Sequence, residues 1–429
     1  MRNIVVCGLS NRALSMFMKP ILERFNQDNQ IVGMLDSDRK RYEVCLESFP
    51  ELSDVKFYKP SEFEQMVKET NATTVIVTSR DDTHVDYILR GLALDLSIIS
   101  EKPMVTTAED ARRVLEAEQL SAGQVTVAFN YRYSPYHLKI KELIQSGRIG
   151  RVTSVDLNWY VDTYHGSSYF KRWNRNRAYS GGLSIHKSTH HFDLVNWWIG
   201  KQPKDVFAFG DLHYYGKDGE LNPSMREGRR CGTCGERQDC SYYRRWFGRS
   251  QSNEPKDDHL LAGQDLGAYT NYSPDACIFD GEIEIEDTYA ATVRYDSGAL
   301  LSYSINFSAP YEGYRLAING TKGRIETQEY HSPSRTPFSV PEQTVDLIPL
   351  FGAKEIIHVV KAEGGHGGGD PLIQEDLFLG PDQNRSFDVL AGAEAGAYSI
   401  AVGEAVWKSA KTGKCIQVND LLAKKEGIH

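Results

Sequence analysis

Three histidines and one lysine fall within six residues of the run Gly181-Gly182-Leu183-Ser184-Ile185-His186-Lys187-Ser188-Thr189-His190-His191-Phe192-Asp193. Burying them together as ordinary core would cost too much desolvation, so the run reads as a site. On a continuous helix the i, i+4 spacing sets His186 and His190 on one face, with Lys187 adjacent. Two histidines so spaced could bind zinc, as in His-Glu-x-x-His helices. Lys187 stands where that glutamate would be and would repel a cation, so catalytic zinc is not expected. A second candidate is Lys102, within Ser100-Glu101-Lys102-Pro103. A half-buried lysine can orient a substrate hydroxyl and have its pKa lowered; the plainer reading is a surface Glu–Lys pair before a proline.

Cys7-Gly8-Leu9-Ser10-Asn11-Arg12-Ala13 follows the first β-rich run. A turn of small residues lets backbone N–H groups approach a pyrophosphate at a helix N-terminus, with Gly8 making the tight turn. Ser10 and Ala13 stand where the usual dinucleotide fingerprint has glycine, so the motif is degenerate and a mere strand-to-helix turn is the alternative. Asp36 ends the second β-rich run. A carboxylate there can accept from both adenosine ribose hydroxyls and would repel a 2′-phosphate, which favours NAD over NADP. The nearby Arg39, Lys40 and Arg41 are the opposing signal.

Three further segments carry chemistry-bearing residues. The run from Tyr164 to Arg177 includes Arg172, Trp173 and Asn174. Its aromatic faces could stack on sugar rings while Arg and Asn bond hydroxyls, and Arg172, Arg175 and Arg177 together would suit an acidic sugar. The alternative is an exposed basic loop or an oligomer contact. Gly364-Gly365-His366-Gly367-Gly368-Gly369-Asp370 is flexible backbone that could bring His366 and Asp370 to a ligand, or a plain mobile loop. Cys231, Cys234 and Cys240 resemble three corners of a structural zinc site, with Cys277, His213 or His259 as a fourth. Free thiols or an oxidised Cys231–Cys234 pair are favoured over metal.

The elements that must position these groups divide the chain in two. Residues 1–133 alternate β-rich runs (4–7, 31–35, 57–58, 74–78, 96–100, 125–129) with amphipathic helices (12–26, 37–48, 61–69, 83–93, 107–121). That order implies parallel βαβ units and a doubly wound Rossmann sheet. Lys102 then follows the fifth strand, at the carboxyl edge where open α/β sheets bind ligands. Residues 134–429 predict an α+β domain with a large, mostly antiparallel sheet, helices at 183–199 and 386–411, and a long Cys-containing insertion at 216–281.

Composition narrows the function classes. The 429 residues are 40% hydrophobic and 25% charged, ordinary for a globular enzyme. The formal charge of −9 argues against a nucleic-acid partner. No apolar run approaches the ~20 residues that span a membrane, and the first residues lack signal-peptide features. Seven cysteines, odd in number and thinly spread, suggest a reducing cytoplasm.

Taken together, the glycine turn, Glu101-Lys102-Pro103, Asn130-Tyr131-Arg132-Tyr133, Gly181-Gly182 before the His/Asp helix, and Asn319-Gly320-Thr321-Lys322-Gly323 resemble the Gfo/Idh/MocA oxidoreductases over nearly the whole chain. The resemblance implies NAD(P)-dependent chemistry on a hydroxyl or ketone of a sugar, glycoside or cyclitol. It also implies a homodimer or homotetramer formed through the C-terminal sheet. His190 matches the family's catalytic histidine and Asp193 the aspartate after it, whereas His186 stands where the family commonly has an acid. Lys102 is therefore expected to orient and polarise the substrate oxygen and His190 to move its proton, with His186 or Lys187 completing a relay. The expected cofactor contacts are Gly8, Leu9, Ser10, Asn11, Arg12, Asp36, Ser79, Arg80, His84, Glu101, Lys102 and Asn130. The expected substrate contacts are Lys102, Tyr131, Arg132, Tyr164, Arg172, Trp173, His186, His190 and His366; His-Gly-rich segments like the one holding His366 border the pocket in some members. A redox-neutral glycosidase or lyase working by transient oxidation is the alternative, and an NAD-sensing regulator a third reading, against which the Lys102/His190 pair argues.

Overall fold

The structure, a computed structural model, describes residues 1–244, 274–360, 362 and 364–424. His259 and the central part of the expected insertion lie outside the described residues. Five runs rich in aliphatic, β-branched residues and one aromatic pair form β1 (Arg2–Cys7), β2 (Asn29–Leu35), β3 (Phe57–Tyr58), β4 (Thr74–Val77), β5 (Ser97–Ser100) and β6 (Val125–Val127). They lie parallel in the order β6-β5-β4-β1-β2-β3. The unbroken burial of β4 fits a sheet covered on both faces.

Around this sheet the crossover helices Arg39–Ser48, Phe63–Thr70, His84–Leu92 and Ala108–Gln119 fall where the periodicity predicts them. The expected helix over 12–26 instead begins as a wide π-helical stretch, Ala13–Met18, and becomes α-helical only at Lys19–Glu23. Pro20 is the cause: it has no N–H to donate to the Met16 carbonyl and would crowd it in a regular helix. Gln374 Nε2 takes that freed carbonyl at 3.2 Å.

The second sheet contains β7 (Val152–Asp162), β8 (Pro203–Asp211), β9 (Thr288–Tyr295), β10 (Leu300–Ala309), β11 (Glu312–Gly320), β12 (Gly323–His331), β13 (Thr344–Pro349) and β14 (Glu355–His358). Two short late strands follow, β15 (Ala391–Gly392) and β16 (Ile416–Gln417). The sheet order is β14-β13-β12-β11-β7-β10-β9-β8-β16, with β7–β10 the one parallel pair. Alternating burial along β9 and β10 leaves one face packed and the other in solvent. β15 belongs to the first sheet, antiparallel to β6. Helix Ala393–Thr412 continues from it and packs on β8 and on helices Ala108–Gln119 and Thr189–Ile199.

Three local departures bear on the site. The helix expected over 183–199 is broken into Leu183–His186 and Thr189–Ile199. At the break, Ser188 N donates to Leu183 O, five residues back, and Tyr303 donates to the Ser188 hydroxyl. The aromatic-basic run is partly helical, Thr163–Lys171, because Asp162 caps it by accepting from His165 N at 2.7 Å. The element Gly365–Leu379 is interrupted near its start by left-handed His366, Gly367 and Gly368, and regular helix follows them. A Cβ on Gly368 would come within 2.3 Å of the Ala362 Cβ, so only glycine permits the turn.

Candidate active site

The turn after β1 is built for close backbone approach. Gly8 has φ +95, and a Cβ there would lie 2.3 Å from Ser79 Cα in the strand-end turn alongside. Leu9 N donates to Asp36 Oδ2 at 2.7 Å and Asp38 N to Asp36 Oδ1 at 2.9 Å, which pins the carboxylate at the end of β2. Arg41 is buried and donates to Leu9 O, while Arg39 pairs with Glu43. Ser10 Oγ accepts from Ala13 N. His84 lies between the β4 and β5 turns, its Nδ1 2.9 Å from the Pro103 carbonyl and its Nε2 3.0 Å from the Ser79 carbonyl. The buried Asn130 gives its Nδ2 to Asp370, while its Oδ1 has no protein partner.

Arg12 connects this turn to the glycine-rich segment. Its Nε donates to Glu101 at 2.6 Å and its terminal nitrogens donate to Asp370 at 3.2 and 3.3 Å. Burial opposes the guanidinium charge, but the two carboxylates outweigh it and hold its pKa above the usual value. Asp370 in turn pairs with His366 Nδ1 at 3.2 Å. Glu101 is thus occupied in holding Arg12 and the Lys102 amide.

The catalytic candidates gather around Tyr131. Its ring meets His190 edge-on at 4.8 Å and His366 at 5.1 Å, and Lys187 Nζ lies 5.7 Å from its centroid. Burial, then the charges of Lys102, His366 and Lys187, hold His190 well below the usual imidazole pKa, which keeps it neutral. The His190 Nδ1 is buried with no protein partner. Burial lowers Lys102, and it lowers Lys187 to about 8 against the opposing pull of Glu312. Lys102 Nζ donates to the His186 carbonyl at 3.4 Å.

The break in the helix parts His186 from His190, so the two do not share the continuous face that their spacing predicts. His186 Nδ1 meets Asp81 Oδ2 at 2.5 Å, and its Nε2 faces Asn174 Nδ2 at 3.3 Å. Tyr169 and Trp173 pack edge-on against its ring at 5.4 and 5.8 Å. Behind Lys187, Glu312 accepts from His165 Nδ1 at 3.0 Å, and the Tyr169 hydroxyl lies 2.8 Å from His165 Nε2.

Other expected residues stand apart. Arg132 is buried and bonds Asp193 with two nitrogens, at 2.7 and 2.5 Å, and the Val389 carbonyl with its third. Each of its three nitrogens is engaged, so the expected substrate contact from Arg132 is replaced by a structural ion pair. Arg80 is held by Asp82 and lies over the Tyr179 ring. Arg172 is exposed, Arg175 faces Asp280, and Arg177 pairs with Glu286, so the three arginines form no common anion site. Arg335 covers the Tyr164 ring. Cys231, Cys234 and Cys240 are free thiols; burial pushes Cys231 up to about 11, and Cys234 donates to Glu236. Among the described residues no group of three or more His, Cys, Asp or Glu could hold a metal ion.

Asp81, His165, Tyr169, Glu312 and His331, whose ring stacks 6.1 Å from that of Tyr131, were not among the expected site residues. His165 and Tyr169 stood in the aromatic run, and the polar turn after the fourth strand could have flagged Asp81. Glu312 and His331 open and close paired strands, where nothing in a lone sequence marks them.

The chain compares closely with known proteins. Residues 2–129 match the description "Oxidoreductase family, NAD-binding Rossmann fold", and residues 141–418 match "Oxidoreductase family, C-terminal alpha/beta domain". It is 63% identical over 422 residues to YteT of Bacillus subtilis (strain 168), provisionally named an oxidoreductase, covering 98% of this chain and 99% of that one. It is 28% identical over 151 residues to the inositol 2-dehydrogenase of Rubrobacter xylanophilus, 34% of this chain and 39% of the relative. Among solved folds, a levoglucosan dehydrogenase in complex with NADH and levoglucosan superposes with a TM-score of 0.66 at 15% identity, covering 97% of this chain and 99% of that one. The WlbA dehydrogenase of Bordetella pertussis, with NADH and UDP-GlcNAcA, gives 0.63 at 16% identity, with 97% of both chains covered. Both halves of one family account for nearly the whole sequence, and this chain is therefore a Gfo/Idh/MocA oxidoreductase.

Proposed function

We infer that the protein is an NAD-dependent dehydrogenase that oxidises one hydroxyl of an uncharged sugar, glycoside or cyclitol. The observation that carries this reading is the buried, unpartnered His190 Nδ1 beside two lysines of lowered pKa. A neutral imidazole nitrogen without a donor fits a substrate hydroxyl, and the ammonium groups favour the oxygen as negative charge develops.

The residues fit a dinucleotide. Gly8 clears the backbone path, and Asn130 Oδ1 lacks a donor such as an amide or ribose hydroxyl would supply. Asp36 at the end of β2, with Arg41 and Arg39 engaged elsewhere, supports NAD over NADP. Held by the Gly8 turn, Asp36 and Asn130, the dinucleotide would supply the hydride acceptor for the carbinol carbon. Lys102 holds the hydroxyl oxygen, His190 accepts its proton, and Tyr131 closes one wall against bulk water.

Residues 1–133 hold the cofactor and residues 134–429 the substrate in this reading. Self-association uses the solvent face of the nine-stranded sheet, where Phe207, Phe209 and Leu300 are exposed. No helix among the described residues is long and apolar enough to cross a membrane, and a cytoplasmic location suits an NAD enzyme. No observation favours the redox-neutral glycosidase. Incubation with NAD and a panel of free sugars, cyclitols and aryl glycosides tests the reading: NADH should accumulate in proportion to oxidised product. Glycoside cleavage without net NADH would overturn it.

A further inference from the structure

Asp81 is used by none of the chemistry above, yet it makes a short contact to His186, 2.5 Å. It lies in the turn after β4, on the cofactor side, and reaches His186 on the substrate side, 105 residues away in the chain. Both side chains are largely buried, at 7% and 14% exposure. The bonding fixes the imidazole's state. Asn174 Nδ2 can only donate, so His186 Nε2 must accept, and the ring proton sits on Nδ1 and is donated to Asp81. At 3.3 Å the Asn174 contact is long, and an incoming hydroxyl can displace it. The groups facing the ring are Asp81 from the β4 turn, Lys102 from the β5 turn, Lys187 on its own segment, and the Tyr169 and Trp173 rings. Burial lowers the His186 pKa and Asp81 opposes that shift.

We propose that Asp81 is a positioning residue that locks His186 as a hydroxyl acceptor, so that the pair recognises a second hydroxyl of the sugar, next to the one held by Lys102 and His190. This deepens the dehydrogenase reading and rests on it. The site then selects an uncharged vicinal diol. A carboxylate at that point would bring no proton for Nε2, whereas a hydroxyl supplies one. The pair also spans the two sides of the cleft, so the acceptor is aligned only when the cofactor and substrate sides are in register.

The test has one readout that needs no substrate. In the full-length protein, nitrogen-15 NMR of the histidine rings should show His186 as the Nδ1–H tautomer. Asp81→Asn should let the Nε2–H form appear beside Nδ1–H, because an amide can donate to Nδ1 as well as accept from it, and should lower the pKa further. With a sugar that the enzyme oxidises, Asp81→Asn should raise the sugar KM by roughly 10- to 100-fold with the KM for NAD unchanged, the range that follows from leaving one buried hydrogen-bonding group poorly satisfied. Asp81→Glu should recover part of that loss. If Asp81→Asn does not fold, His186→Gln, which keeps an acceptor, should outperform His186→Phe in sugar KM. An Nε2–H tautomer in the wild type would overturn the proposal, as would an Asp81→Asn variant that loses only kcat. Absence of turnover with every sugar, together with the expected tautomer, would instead refute the dehydrogenase reading.

Discussion

Removing Asp193 should cost stability, and removing its partner as well should restore most of it. The carboxylate is 1% exposed and Arg132 is 5% exposed. Two guanidinium nitrogens bond Asp193 at 2.7 and 2.5 Å, and the third donates to Val389 O at 3.1 Å. In Asp193→Leu the guanidinium keeps a single carbonyl, and a buried charge left so poorly compensated costs about 3–5 kcal/mol. In Asp193→Leu/Arg132→Met neither charge remains to be desolvated, and the loss should fall to about 1 kcal/mol or less, a strongly non-additive cycle. Urea unfolding followed by tryptophan fluorescence, with six tryptophans in the chain, measures both. The pair clamps the Asn130–Tyr133 turn to helix Thr189–Ile199, so the single variant should also lose activity through the displacement of Tyr131. Additive single and double losses would refute this account. So would an Asp193→Asn enzyme of full stability and abolished kcat, which would put the carboxylate in the chemistry.

The remaining expectations concern the site and its surroundings. Lys102→Ala should lower kcat/KM at least ~10²-fold, measured as NADH formation with a competent sugar. Lys187, lowered to about 8 mainly by burial, loses its positive charge above that pH; kcat/KM should therefore fall on the alkaline side and Lys187→Met should erase that limb. No matching acid limb should arise from His190 in the mildly acid range, because its pKa is already well below the ordinary imidazole value. Asp36→Ala should narrow the preference for NAD over NADP in calorimetric titrations. Purified protein should carry no stoichiometric metal, and Cys234→Ser should leave NAD affinity unchanged.

Much of the cofactor side was legible because its signals are local. Gly8, Asp36 and Lys102 each sit at a strand end, and alternating strands and helices locate those ends without tertiary knowledge. The helix break at Lys187 and Ser188 was hidden, because it depends on Tyr303 bonding Ser188 from 115 residues away. Arg132, Arg175 and Arg177 misled for a related reason: a charge in a sequence reads as available, and only the fold reveals that Asp193, Asp280 and Glu286 already pair with it. Asp81 and Glu312 escaped because their partners lie 105 and 147 residues away. Such pairings are set by sheet topology, which spacing along one chain does not encode.

The position of β15 carries a consequence for synthesis. The open edge of β6 is completed only by Ala391 and Gly392, and the helix that follows seals it: Glu404 accepts from Ala108 N, and Gly396 packs on Met104 and Val127. While the chain emerges from the ribosome, more than half of it must appear before this edge can close. Until then β6 offers unpaired backbone groups to any neighbouring strand. A fragment ending near Gly150 would keep that edge permanently, together with the apolar surface that Ala397 and Ile400 cover in the whole chain. Such a fragment should associate through its edges even with its nucleotide-binding turn intact. The cofactor half depends on the far end of the chain to remain a solitary sheet.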